Sequence, residues 1–170
     1  LLDHDEPVRI LEHLLVGSEG TLAFVADATF RTVLVAAHAA TALLIYPSLA
    51  AAAAAVPGLV SAGCATVELL DAASLRVARN DGGAAATLSG LDVVDHAALL
   101  AEVRADDEVA LASLIDGAVA SLGGSGIMGT ARFTTDDAER AALWRVRKGL
   151  YASVAGARTR GTTALLEDVC

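Results

Sequence analysis

Apolar residues run through this chain in blocks, and the blocks alternate between strand-like and helix-like spacing. Ile10 to Val16 is apolar and leads into Gly17-Ser18-Glu19-Gly20-Thr21. Glycine there marks a tight turn with accessible backbone N–H groups. Leu22 to Val35, rich in Val, Thr and Phe, partly alternates apolar with polar residues and predicts one long strand or two short ones. Ala40 to Tyr46 is another strand-like run, closed by Pro47. Ser48 is a candidate N-cap, and the alanines after it favour a helix. Pro57-Gly58 predicts a kink or an end to that helix. Val67 to Leu70 reads as a strand, and Asp71 can cap a short helix through Val77. Asn80 to Gly83 reads as a turn, and Ala84 to Asp95 as a loop or weak strand.

The pattern then recurs. His96 to Arg104 predicts a strand, and Asp106, Asp107 and Glu108 put negative charge at a helix start, where the macrodipole favours it. Leu111, Leu114, Ile115, Ala118 and Leu122 follow at helical spacing as one apolar face. Gly123, Gly124 and Gly126 end that helix. Ile127 to Phe133 predicts a strand, and Thr134 or Thr135 begins a helix through about Tyr151. Two consecutive strand–helix–strand units result, Ala40 to Leu70 and His96 to Phe133. Two such units pack as an antiparallel sheet with both helices on one face, the split-βαβ or ferredoxin-like arrangement of an α+β fold.

Composition narrows the function. The chain has 170 residues, enough for one domain or one domain plus a fragment. With 55% hydrophobic and 19% charged residues it can build a core, and with 4% aromatics that core rests on small aliphatic contacts. A net charge of -9 repels phosphate backbones, so no nucleic acid partner is expected. Lys148 is the single lysine, which leaves no lysine-rich patch for an anionic membrane. Leu1 to Glu6 has neither the basic start nor the apolar stretch of a signal peptide, and Leu49 to Val56 is too short to span a bilayer. Cys64 and Cys170 cannot make a disulfide framework or a thiolate cage, so a reducing, cytoplasmic setting is the default. Cys64, between Gly63 and Ala65, reads as a small core residue.

Three segments could carry chemistry. The glycines of Gly17-Ser18-Glu19-Gly20-Thr21 permit close approach of a ligand, and the N–H groups between them can form an anion-binding nest, with Ser18 and Thr21 adding hydroxyl donors. A plain glycine turn before a strand fits the same residues. On the helix from Thr135, residues Arg140, Leu143, Trp144, Arg147 and Tyr151 share one side. Arg147 and Tyr151 project together, an arginine fork beside a phenol, which suits a carboxylate; Lys148 lies one position round the helix. A solvated basic face, with stems covering Trp144, is the alternative. Arg158-Thr159-Arg160-Gly161-Thr162-Thr163 could line a pocket or be a polar loop. His4, His13, His38 and His96 lack metal-ligand spacing, and the acid pairs Asp106-Asp107 and Asp136-Asp137 read as helix-start charges.

Val16-Gly17-Ser18-Glu19-Gly20-Thr21-Leu22 resembles the G-S-E-G-T-L signature of FAD-linked oxidases of the vanillyl-alcohol oxidase superfamily. Val67-Glu68-Leu69-Leu70-Asp71 is similar to the E-L-L-D stretch of their cap domain. Leu143 to Leu150, followed by Gly161-Thr162-Thr163 and Glu167-Asp168-Val169, resembles the W-x-x-R-K-G, G-T-T and E-D-V pattern of D-2-hydroxyglutarate and D-lactate dehydrogenases, and most of all the large bacterial subgroup with a C-terminal iron–sulfur region. The match runs in the same order over nearly the whole chain. It departs at Ala23, where relatives commonly have glycine, and at Tyr151, a larger group than the hydroxyl residue that relatives have there.

That resemblance implies an internal fragment of a larger flavoenzyme, with residues 1–36 closing the FAD-binding domain and residues 37–170 forming a truncated substrate cap. It implies FAD as cofactor, contacted by Gly17, Ser18, Glu19, Gly20 and Thr21. A 2-hydroxy acid would be held through its carboxylate by Arg147, with Tyr151 and Lys148 beside it. No catalytic residue is assigned in this chain, because the histidine-rich metal motif that positions the base in relatives lies further along, as do the cysteines of any iron–sulfur cluster. The implied activity is oxidation of a D-2-hydroxy acid to the 2-oxo acid with hydride transfer to FAD. The expected partners are the substrate and the rest of the same polypeptide, with a homodimer left open, in a cytoplasmic enzyme with or without membrane association. A stand-alone ferredoxin-like module that binds a small acid, or that only oligomerises, is the competing reading.

Overall fold

Ser48 does what its position predicts: its Oγ accepts from the Ala51 backbone N–H at 3.2 Å and starts helix α2, Leu49–Ser61. That bond satisfies one of the amides that every helix start leaves open. Ser48→Ala is expected to lower stability by about 1 kcal/mol, read as a shifted urea midpoint at unchanged slope. In the computed structural model, residues 4–80, 88, 90–148, 156, 159 and 161–162 are described. The chain divides into two units, Leu1–Val35 and Ala36–Cys170.

In the first unit, helix α1 spans Pro7–Gly17, with proline in the first turn, where its missing N–H costs nothing. None of its residues is fully buried. Residues 22–36 carry no regular structure, so the strand or strands expected from Leu22 to Val35 do not form. Alternation makes a strand only where a neighbouring ladder takes up the backbone groups, and these residues have no such pairing. Phe24, Phe30 and Leu34 are almost fully exposed.

The second unit holds a three-stranded antiparallel sheet in the order β1-β3-β2, with β1 at His38–Tyr46, β2 at Thr66–Leu70 and β3 at Ala97–Ala105. Leu44 pairs with Leu99 and Ala42 with Ala101. Helix α3 covers Ala72–Asn80, α4 Glu108–Ser121 and α5 Asp137–Lys148. Asp107 caps α4 by accepting from Ala110 N at 2.8 Å. The expected strand from Ile127 to Phe133 shrinks to two isolated bridges onto β1, Ile45 with Met128 and Thr41 with Thr134. Gly129, with φ +78, turns the chain out of extended geometry between them. Even so, this segment lies along the free edge of β1, which completes the strand order of the split-βαβ arrangement. Helix α2 does not end at Pro57: it continues to Ser61, and its last turn carries Leu59 fully into the core.

Strand alternation sorts the sheet into two faces. Ala40, Ala42, Leu44 and Tyr46 of β1, with Leu99, Ala101 and Val103 of β3, face the crossover helices α2 and α4 and make the main core. The two crossover helices share one face, as two such units require. The opposite face is not bare. Half of it is a smaller apolar cluster, with Ile45, Leu70 and Ala98 under Leu75 and Ala78 of α3. The other half is polar and lies under α5.

Candidate functional site

Glu102 stands in the middle of β3, surrounded in sequence by Ala101 and Val103, and is only 2% exposed. A carboxylate so placed must be paired or neutral. Glu102 is paired on both oxygens. Oε2 accepts from Thr41 Oγ1 at 2.7 Å, Trp144 Nε1 at 2.7 Å and Arg140 Nη2 at 3.2 Å, while Oε1 accepts from Arg104 Nε at 2.7 Å. Burial alone would raise its pKa, but the four donors outweigh it and hold the group at about 2. The side chain is therefore a fixed negative charge at any ordinary pH.

Helix α5 is built to meet it. Asp136 Oδ1 accepts from Glu139 N at 2.8 Å and opens the helix, with Asp137 and Glu139 in the first turn. From there Arg140, Trp144 and Arg147 recur at i, i+4 and i+7, one stripe along the helix. Arg140 and Trp144 anchor on Glu102. One turn further, Arg147 Nε donates to Glu68 Oε2 of β2 at 3.1 Å. Glu68 pairs with Leu100 across the ladder, so it shares the face that carries Glu102. Two strand carboxylates thus hold one helix. The first is buried; the second pair lies in partial contact with solvent, with side-chain exposures of 42% for Arg147 and 30% for Glu68.

Arg147 therefore sits where a soluble carboxylate could reach it, but with one edge already engaged. Arg140 is spent on Glu102, Thr41 and Asp137. The hollow of about 540 Å³ beside Arg140 is also lined by Glu108 and Asp137, acids that oppose an anionic ligand. Tyr151 lies outside the described residues, as does the side chain of Lys148. The Arg158 to Thr163 segment is described only at residues 159, 161 and 162.

In the first unit, Gly17 closes α1, and Ser18, Glu19, Gly20 and Thr21 form a tight turn after it. Glu19 and Gly20 take consecutive left-handed conformations, φ 49 and 83. An added Cβ at Gly17 or Gly20 would meet nothing within 4 Å, so a ligand could approach the backbone closely there. The hydroxyls are not the outward donors expected of them: Ser18 Oγ donates to Leu15 O at 2.8 Å and Thr21 Oγ1 to Ser18 O at 2.7 Å. Glu19 N and Thr21 N are likewise turned inward, onto Val16 O and Ser18 O. What this turn offers a ligand is open glycine backbone beside a hollow of about 410 Å³ lined by His13, Leu14, Gly17, Ser18, Thr21 and Leu22.

Glu102 was not singled out from the sequence, although a signal was present. One acid within the run Ala97-Ala-Leu-Leu-Ala-Glu-Val-Arg-Ala105 is a charge in a strand whose other residues, Arg104 apart, are fit for burial. Such a charge demands partners from elsewhere in the chain.

Residues 35–170 match the model of the family described as FAD linked oxidases, C-terminal domain. The chain belongs to this family. Membership in this flavin-linked enzyme family ties the sheet, its crossover helices and the α5 stripe to the family's C-terminal domain, and makes FAD the cofactor to be tested against the residues present. The glycine backbone at Gly17 and Gly20 fits close approach of such a group; the Ser18 and Thr21 hydroxyls keep only acceptor capacity for it. Among solved structures, the FAD-linked oxidase domain is similar to an alkyldihydroxyacetonephosphate synthase, with a TM-score of 0.52 and 13% sequence identity. The likeness covers 79% of this chain and 28% of that one, and at this identity it shows the fold. No curated protein matches the sequence. Among the described residues, no helix is long and apolar enough to cross a membrane, and no group of three or more His, Cys, Asp or Glu could hold a metal ion.

Proposed function

We propose that this FAD-linked oxidase domain is the substrate cap of a flavin-dependent oxidoreductase that oxidises a D-2-hydroxy acid, of the lactate or 2-hydroxyglutarate class, to the 2-oxo acid. The observation that carries this reading is the placement of Arg147: a half-exposed guanidinium at the end of a helix clamped to the sheet by Glu102. A guanidinium held this way binds a carboxylate through parallel, charge-assisted bonds and so fixes the carbon next to it. FAD, when bound, accepts the two electrons that leave that carbon. The hydroxyl proton goes to a base that this chain does not assign.

A few residues of the chain have distinct parts in this reading. Glu102 orients the helix by holding Trp144 and Arg140. Arg147 binds and orients the substrate carboxylate, with Lys148 and Tyr151 as further binding residues. Gly17 and Gly20 give backbone access to the flavin, within the turn that includes Ser18, Glu19 and Thr21. The small-molecule partner is a 2-hydroxy acid, and the rest of the polypeptide supplies the remaining flavin contacts.

The test is anaerobic mixing of the full-length, flavin-loaded protein with D-lactate and with D-2-hydroxyglutarate, followed by flavin absorbance. Bleaching by one of them, and not by its L enantiomer, is expected. An oxidised flavin that persists with both D acids would contradict the proposed substrate class.

A further inference from the structure

We infer that Glu68 is a positioning residue for substrate: it pins the Nε edge of Arg147 so that the two terminal nitrogens face one carboxylate end-on. This rests on the reading of Arg147 as the carboxylate ligand and goes beyond it by assigning how that arginine is aimed.

The argument starts from the shape of a guanidinium. Its five N–H groups lie in a plane and offer a carboxylate either the Nε–Nη side or the Nη–Nη end. Glu68 Oε2 takes Nε at 3.1 Å, which occupies the side and leaves the end. The arginine comes from a helix and the glutamate from a strand, 79 residues away in sequence, so the contact fixes the head of a long side chain against a separate, rigid element. Glu68 lies on β2, an edge strand of the sheet whose β3 neighbour is anchored to the same helix through Glu102. Stem and head of Arg147 are thus referenced to one framework.

Left alone, a side chain with this exposure samples many rotamers, and substrate binding has to order it. Ordering one such side chain in advance is worth roughly 3- to 10-fold in affinity. An opposing effect exists, because the Glu68 charge repels an incoming carboxylate. Both groups are in partial contact with solvent, which weakens that repulsion, and the substrate meets a paired arginine aimed at it. Positioning therefore wins, and loss of Glu68 raises KM.

The experiment uses the full-length, flavin-loaded enzyme with Glu68→Ala, Glu68→Gln, Arg147→Ala and the Glu68→Ala/Arg147→Ala double variant. Glu68→Ala is expected to raise KM for the D-2-hydroxy acid roughly 3- to 10-fold with kcat within about 2-fold. Glu68→Gln, whose amide oxygen still accepts from Nε, falls between wild type and Glu68→Ala. Affinity for the 2-oxo acid product, measured by calorimetry, follows the same order. In the Arg147→Ala background the Glu68 effect disappears, because the two residues act as one unit. A KM that is unchanged or lower in Glu68→Ala while Arg147→Ala raises it overturns the role of Glu68 and leaves Arg147 standing. An unchanged KM in Arg147→Ala overturns the underlying reading instead. Melting temperature and flavin content, expected to be close to wild type in the Glu68 variants, separate a binding defect from misfolding.

Discussion

Glu102→Ala is expected to destabilise the domain by about 3–5 kcal/mol, the largest stability loss of any single change considered. Removing one partner of a buried ionic cluster strands the others, and here they are two guanidinium groups, an indole N–H and a hydroxyl. For a chain of this size the melting temperature should fall by roughly 6–20 °C. The same residue sets an acid limit. Its pKa of about 2 lies below the ordinary 4.5, so the folded state favours the ionised form. A depressed acid contributes stability that is fully present above its ordinary pKa and is lost as pH falls from about 4.5 towards about 2. The shift corresponds to about 3 kcal/mol. Melting curves across that window should show a steep acid loss in wild type and a flatter one in Glu102→Gln. Parallel curves would mean that Glu102 is not the charge being titrated.

Arg147→Ala should leave the fold nearly intact and cost substrate binding instead. Its ion pair with Glu68 is partly solvated, and such pairs contribute about 0–1 kcal/mol. Charge-assisted bonds to a substrate carboxylate are worth about 1.5–3 kcal/mol, so KM should rise roughly 10- to 150-fold. Arg140→Ala would show the opposite balance, since Arg140 serves the buried Glu102. Comparing melting temperature with KM across the two variants separates the arginine that holds the helix from the one proposed to read the ligand.

Local signals in the chain predicted most of the framework. Ser48 capped a helix, the acids at 106–108 marked the start of another, and the apolar runs at 40–46 and 96–104 became paired strands within two residues of their expected bounds. Periodicity sufficed there because each element buries one face. The strand expected from Leu22 to Val35 failed for the complementary reason: alternation describes a face, and a strand also needs a paired ladder. Ile127 to Phe133 failed in part because Gly126 and Gly129 take positive φ, which the hydrophobic pattern does not encode.

The candidate site was legible only as a helical stripe. Spacing placed Arg140, Trp144 and Arg147 on one side of a helix, but could not say which of the two arginines would be consumed by structure. That depends on Glu102 and Glu68, acids 34 positions apart in sequence that antiparallel pairing to β3 brings onto one face of the sheet. The glycine turn was legible as a turn; the inward bonding of Ser18 and Thr21 was not, because a hydroxyl near its own backbone competes with any ligand.

Anaerobic flavin reduction by a D-2-hydroxy acid and by the matching D-2-hydroxy amide, in wild type and in Arg147→Ala, reads carboxylate recognition at this guanidinium. Wild type should favour the acid by roughly 10- to 150-fold, and the variant should lose that preference by slowing on the acid alone. An acid preference of equal size in both proteins would contradict the assignment of Arg147 as the residue that holds the substrate.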